Sequence, residues 1–94
     1  IDNAESVADP EKYYLENLHG ALSLLQVMRE FDVLKIIFSS SAAVYGNVNK
    51  TPIPEYAAKK PCSPYGRCKW QVEQILKDYS KAYSLKAVVL RYFN

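Results

Sequence analysis

Metal-binding side chains are scarce in this chain, which holds one histidine, His19, and two cysteines, Cys62 and Cys68, in 94 residues. A zinc site needs four donors at recognisable spacing, so no metal site is expected. Two unpaired thiols fit a reducing compartment better than a disulfide framework, which points to a cytoplasmic protein. No apolar run approaches the ~20 residues that cross a bilayer, so no membrane partner is expected. The net charge is only +2, too small to indicate nucleic acid or an anionic membrane surface. Internal repeats, low-complexity tracts and a basic-then-apolar leader are all missing, and the chain starts at Ile1 without a methionine. It reads as an internal piece of a longer protein. What remains is ordinary: 49% hydrophobic and 23% charged residues, the balance of one small soluble globular domain.

Residues 1 to 8 carry no periodic signal. Asp9-Pro10-Glu11 is a helix start, with a capping aspartate, proline at the first position and an acid in the first turn. Tyr14, Leu18, Ala21, Leu22, Leu25 and Met28 then form a stripe at helical spacing, predicting a helix over 10–30. Gly20 inside it lowers helix propensity, and close packing is the expected reason. Residues 33–38 (Val-Leu-Lys-Ile-Ile-Phe) read as a mostly buried strand of the parallel-sheet kind. Residues 39–64 form a long connection carrying four of the five prolines, with Gly46-Asn47 as a turn signal. Connections this long are functional or disordered as a rule. A second helix is predicted over 64–83, with Val72, Ile75, Leu76, Tyr79 and Ala82 inward. Residues 85–92 read as a second strand.

Helix, strand, loop, helix, strand is the order of a parallel α/β sheet, in which a right-handed helical crossover joins neighbouring strands. The fold class expected is part of a doubly wound parallel (Rossmann-type) sheet. Order alone then places three groups at one sheet edge: the serines Ser39-Ser40-Ser41, the helix start at Tyr65, and the chain end at Phe93-Asn94. Ligands of open parallel sheets bind along that edge.

Ser63-Pro64-Tyr65-Gly66-Arg67-Cys68-Lys69 is the stretch the rest is organised around. With Ser63 as cap and Pro64 in first position, Tyr65 falls in the first turn and Lys69 one turn above it. A cation there, with the positive end of the helix dipole, favours a phenolate oxygen. The pair suits a tyrosine that accepts a proton. Tyr56 and Lys60 repeat the spacing, but Pro52, Pro54 and Pro61 around them argue against a helix.

Three motifs in order carry a resemblance: Phe38 to Gly46 (FSSSAAVYG), Ser63 to Lys69 (SPYGRCK) and Leu90 to Asn94 (LRYFN). With Tyr13-Tyr14 and Asn17-Leu18-His19-Gly20 upstream, they resemble the UDP-glucose 4-epimerases of the extended short-chain dehydrogenase/reductase family, over essentially the whole chain. The resemblance implies an NAD-dependent enzyme interconverting UDP-glucose and UDP-galactose through a 4-keto sugar. It implies Tyr65 as catalytic base and Lys69 as the group that holds the nicotinamide ribose. Ser41 would hydrogen-bond the sugar hydroxyl, Phe93 and Asn17 would contact NAD, and Asn94 would bind the UDP-sugar. Helices 10–30 and 64–83 would form a homodimer interface.

By the same resemblance, residues 1–94 are the central segment of the NAD-binding domain. The family's glycine-rich dinucleotide motif and its C-terminal substrate lobe are not among them. Arg67 and Cys68 stand where many members have lysine and serine, which keeps the charge and nearly the shape. The nearest alternative is another enzyme of the extended family, a nucleotide-sugar dehydratase or decarboxylase, and the dehydratases carry an Asp-Glu pair just before Val-Tyr-Gly. Here Ala42 and Ala43 hold those places, and methyl groups supply neither acid nor base for eliminating water. A non-catalytic NAD-binding homologue is the other alternative. Ser41, Tyr65 and Lys69 speak against it, because binding alone needs no base. Arg91, Tyr92 and Tyr45 read as packing residues.

Overall fold

The computed structural model describes residues 3–46 and 58–92. Two strands, β1 (Lys35–Ser41) and β2 (Lys86–Tyr92), pair in parallel, in register from Lys35 opposite Lys86 to Ser41 opposite Tyr92. The crossover between them contains α4 (Pro64–Tyr83), as parallel neighbours require. The α/β order expected from the sequence is thus present. The first strand, however, begins two residues later than 33–38 and continues through all three serines. The polar serines stay in the ladder because Ser39 is exposed and the side chains of buried Ser40 and Ser41 find partners, as described below.

Side-chain alternation decides which face is covered. Ile36, Phe38, Ala87 and Val89 point toward a core of Leu25, Met28, Val72, Leu76 and Leu85, to which α3 (Gly20–Glu30) and α4 contribute. The opposite row is open: Ile37 is 71% exposed and Val88 54%. Burial on both faces, expected for such strands, is not supplied by the described residues, because both helices pack on one side.

Residues 10–30 are helical throughout, but not uniformly. α2 (Pro10–Tyr14) passes into a π-helical segment, Leu15–His19, and then into α3. Asp9 caps the start by accepting from the Lys12 backbone N–H. The π segment, which adds a residue to the turn, resets the helical phase. Leu22 accordingly lies exposed, whereas Leu25 and Met28 are buried. Gly20 is not a close-packing site: a Cβ there would meet nothing within 4 Å.

An unexpected helix, α1 (Asn3–Ala8), precedes these. Six residues are too few to show a period, and tertiary contacts hold it. Glu5 accepts from Lys12 Nζ and from the Tyr13 hydroxyl, each at 3.0 Å, and Ser6 is fully buried.

α4 matches its sequence reading at both ends. The Ser63 hydroxyl accepts from the Gly66 N–H at 3.1 Å, Pro64 takes the first position, and Ser84 ends the helix in the left-handed region. Ala82 is exposed rather than inward. Of the Tyr56–Lys60 pair, Tyr56 lies outside the described residues, and residues 58–62 hold no regular structure.

Candidate active site at the carboxyl edge of the sheet

The three serines at the end of β1 have different surroundings. Ser39 is exposed, and its carbonyl accepts from Lys69 Nζ at 3.1 Å. Ser40 is buried and donates its hydroxyl to Glu73 Oε2 at 2.6 Å. Ser41, also buried, caps the 3₁₀ turn Ala42–Tyr45 by accepting the Ala43 N–H at 3.1 Å. Its hydroxyl hydrogen is not committed to any other described residue, and a capping oxygen still has a proton to give.

That turn is pressed against the start of α4. A Cβ on Gly66 would stand 2.7 Å from the Ala43 carbonyl oxygen, so only glycine fits there. Gly46 closes the turn with φ at 72°, and a Cβ there would collide with the Lys60 carbonyl. Glycine alone suits both demands. The close approach brings the serine end of β1 to the first turn of α4, where Tyr65 sits.

Tyr65 is held by its body rather than its tip. Its ring packs with Tyr13 and Cys68, edge to face with Tyr13 at 6.3 Å between centroids. Its backbone N–H donates to Ser6 Oγ at 3.1 Å, so α1 covers one of the free donors at the helix start. The phenol oxygen makes no hydrogen bond to a described residue. Lys69 Nζ lies 5.7 Å from the Tyr65 ring centroid and 5.2 Å from that of Phe38. Burial holds the Lys69 ammonium below the ordinary lysine value, because desolvation disfavours its charge.

Asn17 sits in the π segment and donates to the Tyr13 carbonyl at 2.8 Å. It lines a cleft of about 210 Å³ together with Phe38 and Val72, so it shares Phe38 with Lys69. Phe93 and Asn94 lie outside the described residues. Ser41, Tyr65 and Lys69 are therefore brought to one edge, with Asn17 on the neighbouring cleft.

Cys68 is fully buried beneath Tyr65, and burial pushes its thiol above the ordinary range. Cys62 is exposed. Thiolate is the reactive form, so a short iodoacetamide pulse on the native protein should label Cys62 and spare Cys68. Peptide mapping checks this, and unfolding should open Cys68.

Residues 2–94 match the NAD dependent epimerase/dehydratase family. The chain belongs to that family. Among its members, the UDP-glucose 4-epimerase of Streptococcus mutans is 47% identical over 91 residues, covering 97% of this chain and 27% of the relative. The solved UDP-glucose 4-epimerase of Brucella ovis, in complex with NAD, superposes with a TM-score of 0.93 at 49% identity, over 97% of this chain and 28% of that one. That of Bifidobacterium longum, holding NAD+ and UDP, gives 0.90 at 50% identity, over 96% and 28%. The chain thus spans a little over a quarter of these family members, and the Rossmann-type α/β arrangement is theirs.

Some polar residues at this edge are more than the packing groups that sequence reading makes of them. Arg91 donates to both carboxylate oxygens of Glu73, at 2.6 Å through Nη2, and to the Tyr45 hydroxyl at 2.6 Å through Nη1. Its pKa is raised by the Glu73 carboxylate first, and also by Tyr45. Glu73 itself is only 7% exposed. The one available signal was a glutamate one turn after Lys69, beside the apolar stripe of α4.

Proposed function

We propose that this chain is the central segment of an NAD-dependent nucleotide-sugar 4-epimerase that interconverts UDP-glucose and UDP-galactose. The observation that carries it is the meeting at one edge of the Ser41 hydroxyl hydrogen and the Tyr65 phenol oxygen, neither bonded to another described residue, where Lys69 is half-buried and residues 42 and 43 are alanines. In this reading Tyr65 takes the proton of the sugar 4-hydroxyl and gives it back, while Ser41 donates a hydrogen bond that orients the same hydroxyl. The sugar passes through a 4-keto form. Lys69 donates to one described acceptor, and an ammonium has three donors. The remaining ones suit the hydroxyls of a nicotinamide ribose, so the donor set fits NAD. Asn17 and Phe93 are its further contacts, and Asn94 binds the UDP-sugar. NAD, when bound, supplies the acceptor and return source of a hydride.

The open row of Ile37, Val88 and Leu90 supports the segment reading, since a doubly wound sheet carries helices on both faces. Exposed Leu22 and Val27 on α3, with Phe31 just after it, support a homodimer through helices 10–30 and 64–83. The free cysteines favour the cytoplasm.

Methyl side chains at 42 and 43 leave the keto sugar no route to eliminate water. The full-length protein, given UDP-galactose, is expected to yield UDP-glucose of unchanged mass without net NAD reduction. Chromatography with mass spectrometry reads the product. A sugar lighter by one water would make the protein a dehydratase, and unaltered UDP-galactose would leave it a binding homologue.

A further inference from the structure

The inward row of the sheet, apolar at Ile36 and Phe38 on β1 and at Ala87 and Val89 on β2, turns polar at the next inward places, Ser40 and Arg91. These two residues are register partners. Polar groups on a core-facing row need satisfaction, and a single helix residue provides it. Glu73 accepts from the Ser40 hydroxyl at 2.6 Å and from Arg91 at 2.6 Å. Arg91 then reaches the Tyr45 hydroxyl at 2.6 Å, and Tyr45 ends the turn that Ser41 caps. One turn earlier on the same helix, Lys69 holds the Ser39 carbonyl. The residues before and after Ser41 are thus tied to α4, Ser40 directly and Tyr45 through Arg91, while Ser41 itself carries no side-chain tie to that helix.

We infer that Glu73, acting with Arg91, is a positioning residue that sets the serine end of β1 against the tyrosine end of α4. The inference rests on the epimerase reading for its consequence in turnover. A mutual geometry held by charge-assisted bonds to a buried carboxylate is stiff, and small misplacements of reacting groups cost rate steeply. Glu73 touches no reacting atom, so its effect must run through Ser41.

The test is a double-mutant cycle in the full-length protein. Glu73→Gln keeps the shape and removes the charge. It is expected to lower kcat about tenfold with KM for UDP-galactose unchanged within about twofold, and to have no further effect in a Ser41→Ala background. Residues acting as one unit give such non-additive losses. An equal fold-loss in both backgrounds, or an unchanged kcat, overturns the inference. Ser40→Ala, which removes only one hydroxyl, repeats the cycle should Glu73→Gln fail to fold. If the wild type does not epimerise, the epimerase reading fails and amide hydrogen exchange still decides the positioning. Glu73→Gln should then speed exchange at 40–45 and leave 68–76 unchanged. Uniform acceleration, or none, overturns it.

Discussion

Tyr65→Phe in the full-length protein is expected to lower kcat by roughly 10²–10⁴, the usual range for losing a general base. The substitution is clean because the fold does not depend on the hydroxyl. The ring packs in an apolar cluster with Tyr13 and Cys68, and the polar tie at this residue runs from its backbone to Ser6. Stability should therefore change by less than about 0.5 kcal/mol, as for substitutions that disturb no packing or buried partner. Steady-state kinetics beside a urea titration separates the two effects. A variant with wild-type kcat would remove Tyr65 from the chemistry, whatever the family resemblance implies.

The second large effect falls on stability. Arg91→Met leaves the Glu73 carboxylate, 7% exposed, without its guanidinium. Breaking a buried pair from one side costs about 3–5 kcal/mol, because the remaining charge stays desolvated. Arg91 keeps about a fifth of its side chain open to water, so the loss belongs near the lower end, about 3 kcal/mol. Replacing both partners, Glu73→Leu with Arg91→Met, should recover much of it. Urea midpoints at constant slope measure both variants. A single variant as stable as wild type would show that water reaches Glu73 in solution.

The parts of this molecule that sequence made visible are those governed by neighbouring residues. Ser63-Pro64 marks the start of α4 because the cap and the first-turn proline act within four positions, and α4 begins there. Asp9-Pro10 does the same for α2. The helix stripes found Leu25, Met28, Val72 and Leu76 because a repeat of 3.6 needs only a dozen residues to show. What stayed hidden depends on distant partners. The helix of residues 3–8 is held by Tyr13 and by the Tyr65 amide, the latter 59 positions away. The serines extend β1 because α4 supplies a lysine to one and a glutamate to the next. Local propensity would have ended the strand before them, since a run of serines has no apolar alternation. Arg91 read as strand packing because its partner stands on another element, 18 positions back.

Parallel pairing of β1 with β2 also has a consequence in time. The last bond of the serine end comes from Arg91, which enters the chain some 50 residues after Ser41 has been made. At roughly 5–20 residues per second of synthesis, Ser41 waits on the nascent chain for about 3–10 s and Tyr65 for about 1–5 s before the arginine is added. Parallel crossovers must close a long loop before any contact rewards the closure. Until then Glu73 has only Ser40 to hold, and the serine end of β1 is the last part of this segment to acquire its final shape.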